Sequence, residues 1–167
     1  VPGDPYFAPP PERPYTEEVG ADPGKLRIGM TVDPFVEQEL DSRVQDNARA
    51  AGELLESLGH SVDTETPQVP LADPGSPLDV LESFMTRWQA GQAASLDQFS
   101  MLLGRELGPD DVEPLTWALA QEGRRKNAGQ YLGAVGVHQG LARMVSDWFE
   151  QGHDLLLTPV SPHMLFD

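Results

Sequence analysis

Hydrolysis at neutral pH needs a nucleophile held against a base. The groups on offer here are four histidines, His60, His138, His153 and His163, and serines scattered between Ser42 and Ser161. None of the serines stands in a G-x-S-x-G elbow, and all fall in expected helices, caps or loops. A serine and lysine mechanism would have only Lys25 and Lys126 to draw on, both at the edges of expected elements, where an ammonium is solvated. Cysteine is absent, which removes thiolate catalysis, disulfides and sulfur-ligated zinc. No two histidines lie within five residues of each other, so an H-E-x-x-H type of metal site is excluded locally. Asp110 and Asp111 read as carboxylates answering the free N–H groups of a helix start. Neither a Walker loop nor G-x-G-x-x-G occurs. These residues therefore predict no metal, no cofactor and no catalytic residue within the chain.

Two sets of side chains carry a double reading. His138 falls on the apolar stripe of an expected helix, where a buried histidine satisfied by one hydrogen bond is the commoner case and a pocket-facing acid or base the rarer one. Among the aromatics Phe84, Trp88, Trp117, Tyr131, Trp148 and Phe149, most should be core, with a minority lining a pocket. Phe84, Trp88 and Tyr131 rank first as substrate-binding candidates.

The elements that must position them can be read from periodicity. Residues 1–25 are rich in Pro, Gly, Asp and Glu without apolar period, and predict an extended linker. Leu26, Ile28, Met30 and Val32 alternate as in a strand, closed by Pro34. Asp41 caps a helix whose apolar face is Val44, Ala48, Ala51, Leu55 and Leu58, and Gly59 stops it. A short strand over His60–Thr64 completes a strand, helix, strand unit, which favours a parallel right-handed crossover. Ser76 and Pro77 then predict a helix start, with one helix to about Gln89 and a second over Ser95–Leu103. Asp110 and Glu113 predict a capping box opening a third helix to about Gly123. Asn127 opens what should be the longest helix, with Tyr131, Val135, His138, Ala142, Val145 and Phe149 in its stripe, ended by Gly152. LLLTPV after His153 and Asp154 predicts a buried strand. The expected class is α/β: a partial mixed sheet with a βαβ start, a helical insert over about 76–151, and a final strand, all within an α/β segment 26–167. Three strands are few for so many helices, which predicts that further strands complete the sheet.

Charge bounds the partners. The 11 Lys plus Arg against 27 Asp plus Glu give a net charge of -16, which repels phosphate backbones and anionic lipid. Nucleic acid and membrane are thus not expected as partners. No run approaches the ~20 apolar residues of a membrane span, and the lack of cysteine fits a reducing, cytoplasmic setting. The proline-rich start without an initiator Met predicts a piece cut from something longer.

Motifs add what periodicity does not. PYFAPPPERPYTEEVGADPGKLRIGMTVDPF, the helix ending LLESLGHSVDTETP, then LGPDDVEPLTWALAQEGR and the closing WFEQGHDLLLTPVSP stand in one order with fitting gaps. This series resembles the central region of the amidase signature family, and its bacterial general amidases more than its transamidation subunits. The resemblance implies hydrolysis of a carboxylic amide C–N bond by a serine, cis-serine and lysine triad, with an oxyanion held by backbone N–H groups. It places those residues upstream of the linker, and within this chain no Gly/Ser-rich run of that type occurs. What it implies for this chain is a share of the substrate cleft, including the turn at Thr158 and Pro159, facing a small-molecule amide. The closing residues Met164 to Asp167 fall outside the resemblance. The chain alone is expected to be inactive and, through its unpaired sheet edge, to self-associate. The alternative is a non-catalytic binding or assembly module that folds alone.

Overall fold

A computed structural model describes residues 8, 10–33, 39–69 and 79–164. Ahead of the first strand lies exposed chain with a single 3-10 turn at Tyr15–Glu17, where Arg13 pairs with Glu18 at 2.6 Å. Strand β1 (Arg27–Met30) is the centre of the sheet. Helix α1 (Ser42–Ser57) follows, then β2 (Ser61–Asp63), helices α2 (Val80–Leu103), α3 (Pro114–Gly123) and α4 (Ala128–Glu150), and β3 (Leu155–Leu157).

The sheet has the order β2-β1-β3. Both neighbours pair with β1 in parallel, Ile28 opposite Val62 on one side and Leu155 on the other. The expected mixed sheet is thus wholly parallel over the described residues. The crossover follows from chemistry at both ends of α1. The Asp41 carboxylate accepts from the Arg43 N–H at 2.9 Å, and Gly59 takes φ +99, a left-handed conformation that costs glycine little. β1 is shorter than the alternation predicted, but its ladder runs on: Ser61 N donates to Leu26 O and Thr31 N to Leu157 O.

Several expectations require correction. The two helices expected after the loop are one continuous α2. No proline interrupts it, and one interior glycine, Gly91, costs only about 1 kcal/mol against a stripe of Ser83, Thr86, Ala93 and Leu96 buried along its whole length. Ser76 and Pro77 lie outside the described residues; Asp79 is the cap, accepting from Glu82 N at 2.9 Å. At 24 residues α2 is also longer than α4, at 23. The capping box expected from Asp110 and Glu113 does not form. Instead the Asp111 carboxylate takes the Gly108 N–H and the Arg105 guanidinium, and α3 starts on Pro114, whose missing N–H is no loss at a first helical position. α4 begins with reciprocal bonds between Asn127 and Gln130, as its sequence predicted. β3 is less buried than its apolar run suggests, with Leu155 49% exposed, because it is an edge strand.

The helical part packs around Ala93, Leu96 and Ala120, with Leu107, Val112 and Trp117 against them. Small residues allow that approach: a Cβ on Gly123 would collide with the Gln89 carbonyl of α2. Gly29 does the same for the sheet, since a Cβ there would strike the Glu65 carbonyl and the Trp148 indole. Trp148 at the end of α4 thereby docks the helices on the strands.

Candidate functional site

The sequence-predicted aromatic candidates separate into places. Phe84 lines an apolar cavity of about 710 Å³ between α2 and α4, with Leu81, Leu141, Val145 and Phe149. Trp88, one turn along α2, sets its ring 5.8 Å from that of Phe84. Tyr131 sits in the first turn of α4, 40% exposed, and is not part of the cavity wall. Thr158 lines a different cavity, about 500 Å³, where the end of β3 faces Val44, Ala48 and Ala51 of α1. Its hydroxyl donates to the Pro159 carbonyl at 2.8 Å, which ties it to its own turn. The four candidates are therefore not one constellation: Phe84 and Trp88 meet, while Thr158 lies at another opening.

His138 corrects the expectation of burial. It is half-buried on the rim of the Phe84 cavity, with Nδ1 2.5 Å from Arg87 Nη1. A guanidinium can only donate, so Nδ1 is the acceptor and the neutral ring carries its proton on Nε2. The stripe on which it lies is that cavity's wall. Trp117 and Trp148 are core, as expected of most aromatics.

Among the described residues, no hydrogen bond joins a serine hydroxyl to a histidine ring or a lysine ammonium. Ser57 donates to the Leu54 carbonyl, Ser100 accepts from Leu107 N, and Ser161 donates to the His163 carbonyl. Lys126 pairs with Glu82 at 3.2 Å, and the Nδ1 of His60 accepts from Leu26 N. These are structural engagements, each using a local backbone or surface partner.

One cluster escaped sequence reasoning. The His153 side chain is 2% exposed, and its Nε2 lies 3.2 Å from Glu65 Oε2 and 3.8 Å from Asp63 Oδ1. Neither contact is a hydrogen bond, so Nε2 is buried without a hydrogen-bond partner. The other ring nitrogen, Nδ1, is 3.1 Å from the Trp148 carbonyl. Arg27 also reaches both carboxylates, Nη2 to Glu65 Oε2 at 2.6 Å and Nε to Asp63 Oδ2 at 3.2 Å. Asp63 and Glu65 are two residues apart at the end of β2, a spacing that puts both on one face of an extended chain. That much was readable; the arrival of His153 from the far end of the sequence was not.

The amidase family model matches residues 1–167. The chain belongs to the amidase family. It is similar to a 6-aminohexanoate-cyclic-dimer hydrolase of a Pseudomonas species, 31% identical over 159 residues, covering 95% of this chain and 31% of that protein. The structure of 6-aminohexanoate cyclic dimer hydrolase, also solved complexed with substrate, superposes with TM-score 0.84 at 29% identity, over 98% of this chain and 33% of that one. A bacterial aryl acylamidase of the amidase signature enzymes matches at TM-score 0.67 and 18% identity, over 84% of this chain and 28% of its own, which speaks for the fold alone. The chain spans about a third of the length of the curated relatives it matches. Among the described residues no helix is long and apolar enough to cross a membrane.

Proposed function

We propose that this chain forms one wall of an amidase that hydrolyses a carboxylic amide C–N bond, while the serine nucleophile, its bridging serine and the lysine base come from polypeptide outside these residues. The match of the amidase family along the whole chain carries this reading. The engagement of Ser57 and Ser161 with backbone carbonyls and of Lys126 with Glu82 supports the second half of it, because a nucleophile must be free to approach a carbonyl and face its base.

The wall's contribution is shape. The cavity between α2 and α4 is apolar, with Phe84, backed by Trp88, and Phe149 in its wall, which suits the acyl chain of a small amide more than a charged group. Thr158 and the turn after β3 form a second lip, and Tyr131 a contact at the start of α4. Large apolar side chains remain open to solvent around these elements, among them Phe99, Met101, Leu102 and Leu115, each more than half exposed. Apolar surface on this scale marks a face meant to be covered. In isolation the same face and the open edge of β3 drive self-association.

The test compares the full-length protein with the chain expressed alone, on a panel of aliphatic, aryl and peptide amides. Turnover by the full-length protein and none by the chain is the expected result. Turnover by the 167-residue chain alone overturns the placement of the catalytic residues, and no turnover by either overturns the amidase reading.

A further inference from the structure

Both ring nitrogens of His153 face identified neighbours. A carbonyl oxygen only accepts, so Nδ1 beside the Trp148 carbonyl carries a proton. The neutral ring then turns the Nε2 lone pair toward Glu65 and Asp63, at 3.2 Å and 3.8 Å. A buried lone pair facing two anionic carboxylates is repulsive unless a positive centre stands between them. A proton on Nε2 would answer the charge, but with the ring as placed it makes no hydrogen bond to either carboxylate. A single cation shared by all three groups answers the charge and partners Nε2.

We infer that Asp63, Glu65 and His153 form a binding site for a divalent transition cation of the Zn²⁺ or Co²⁺ type. One imidazole nitrogen with two carboxylate oxygens is a donor set that such borderline ions accept. The three ligand atoms lie within 4.8 Å of one another. Ligands at about 2.1 Å from a common ion stand at most about 4.2 Å apart, so a small movement of exposed Glu65 closes the site. Arg27 binds Asp63 Oδ2 and Glu65 Oε2, the latter also the oxygen nearest Nε2, and the Glu65 N–H reaches Asp63 Oδ1, yet each carboxylate offers about four lone-pair positions, so both keep capacity for the ion. Two carboxylates and one guanidinium still sum to a negative site, which attracts the ion. Nδ1 held by the Trp148 carbonyl fixes the ring as ligating histidines are commonly fixed. A polar cavity of about 600 Å³ lined by Thr64, Glu65, Asp147 and Gln151 gives solvent a way in. The bound ion would clip the end of β2 to the residue that leads into β3.

The experiment adds Co²⁺ and, separately, Zn²⁺ to the metal-stripped full-length protein. It reads the visible ligand-field bands of cobalt, the thermal midpoint, and the ring nitrogen resonances of His153. The inference expects stoichiometric cobalt bands, a zinc-dependent rise in midpoint, and a shift of the His153 Nε2 resonance. Glu65→Gln, at an exposed position that folding tolerates, should weaken binding by about tenfold or more. His153→Gln should abolish the bands. Absence of the bands in the unmodified protein, or equal binding by Glu65→Gln, overturns the site.

Discussion

The imidazole of His153 lies flat on the indole of Trp148, with ring centroids 3.8 Å apart and planes 12° from parallel. This stack is where the last helix meets the sheet. The indole is held over β1 only because residue 29 has no side chain, as the collision of a Cβ with the Glu65 carbonyl and the indole makes plain. Gly29→Ala should therefore destabilise the protein by about 1–3 kcal/mol, the usual cost of forcing atoms into packed space. Urea unfolding measures it, and a midpoint equal to that of the unmodified protein would show that Trp148 does not dock where the geometry puts it.

Electrostatics makes a second prediction at Asp111. The Arg105 guanidinium, and after it the Gly108 N–H, hold its carboxyl down at about 2 from an ordinary value of 3.8. A depressed folded-state pKa contributes stability that is fully present above the unfolded value and is lost as pH falls through the folded one. The contribution of Asp111 is thus complete at neutral pH and disappears between about pH 4 and pH 2. Asp111→Asn should be less stable than the unmodified protein at pH 6, and the gap should narrow across that acid window. A gap independent of pH would mean that the pair with Arg105 does not form.

How far the sequence foretold this depended on the range of the interaction. Local chemistry was legible: Asp41, Asn127, Gly59 and Gly152 mark helix ends because a cap or a left-handed residue acts within one turn. The parallel pairing of β1 with β2 followed from the βαβ order. Continuity across α2 was hidden because Gly91 and the polar residues beside it look like a break, while burial of Ala93 and Leu96 against α3 overrides local preference. At Asp111 two partners competed for one carboxylate, and the pattern of a capping box could not say which would win. Phe84 and Trp88 could be singled out as pocket candidates, but not their separation from the Thr158 cavity, which depends on where α1 packs. His153 was least legible, because its partners come from another strand.

Edge exposure leads to the third prediction. Among the described residues β3 pairs on one side only, and Leu155 stands half-exposed on it. An apolar strand with a free row of backbone groups is a template for another chain. The chain expressed alone should sediment as a dimer or larger species at micromolar concentration. Leu155→Lys should shift it toward monomer, since a charge on an edge strand opposes further pairing. A monomer before any substitution would rule out the edge as an adhesive surface.

Substrate binding gives the last. Phe84 and Thr158 line cavities that have no residue in common, so if both touch an amide they touch different parts of it. Removing the Phe84 ring takes away apolar contact that ground state and transition state share, which raises KM and leaves kcat near its starting value. The size of a lost apolar contact, about 1–3 kcal/mol, corresponds to a KM increase of roughly tenfold in Phe84→Ala for an amide with a long acyl chain. Thr158→Val keeps the volume and removes a hydroxyl already bonded to the Pro159 carbonyl, so its effect should be smaller and should come through the shape of the turn. Because the two positions share no partner, their effects on KM should multiply in the double variant. Steady-state kinetics of the four proteins with short and long acyl amides decides the matter. A change confined to kcat in Phe84→Ala would move that ring from the substrate wall to the support of the catalytic groups, and strong non-additivity would place both cavities on one binding path.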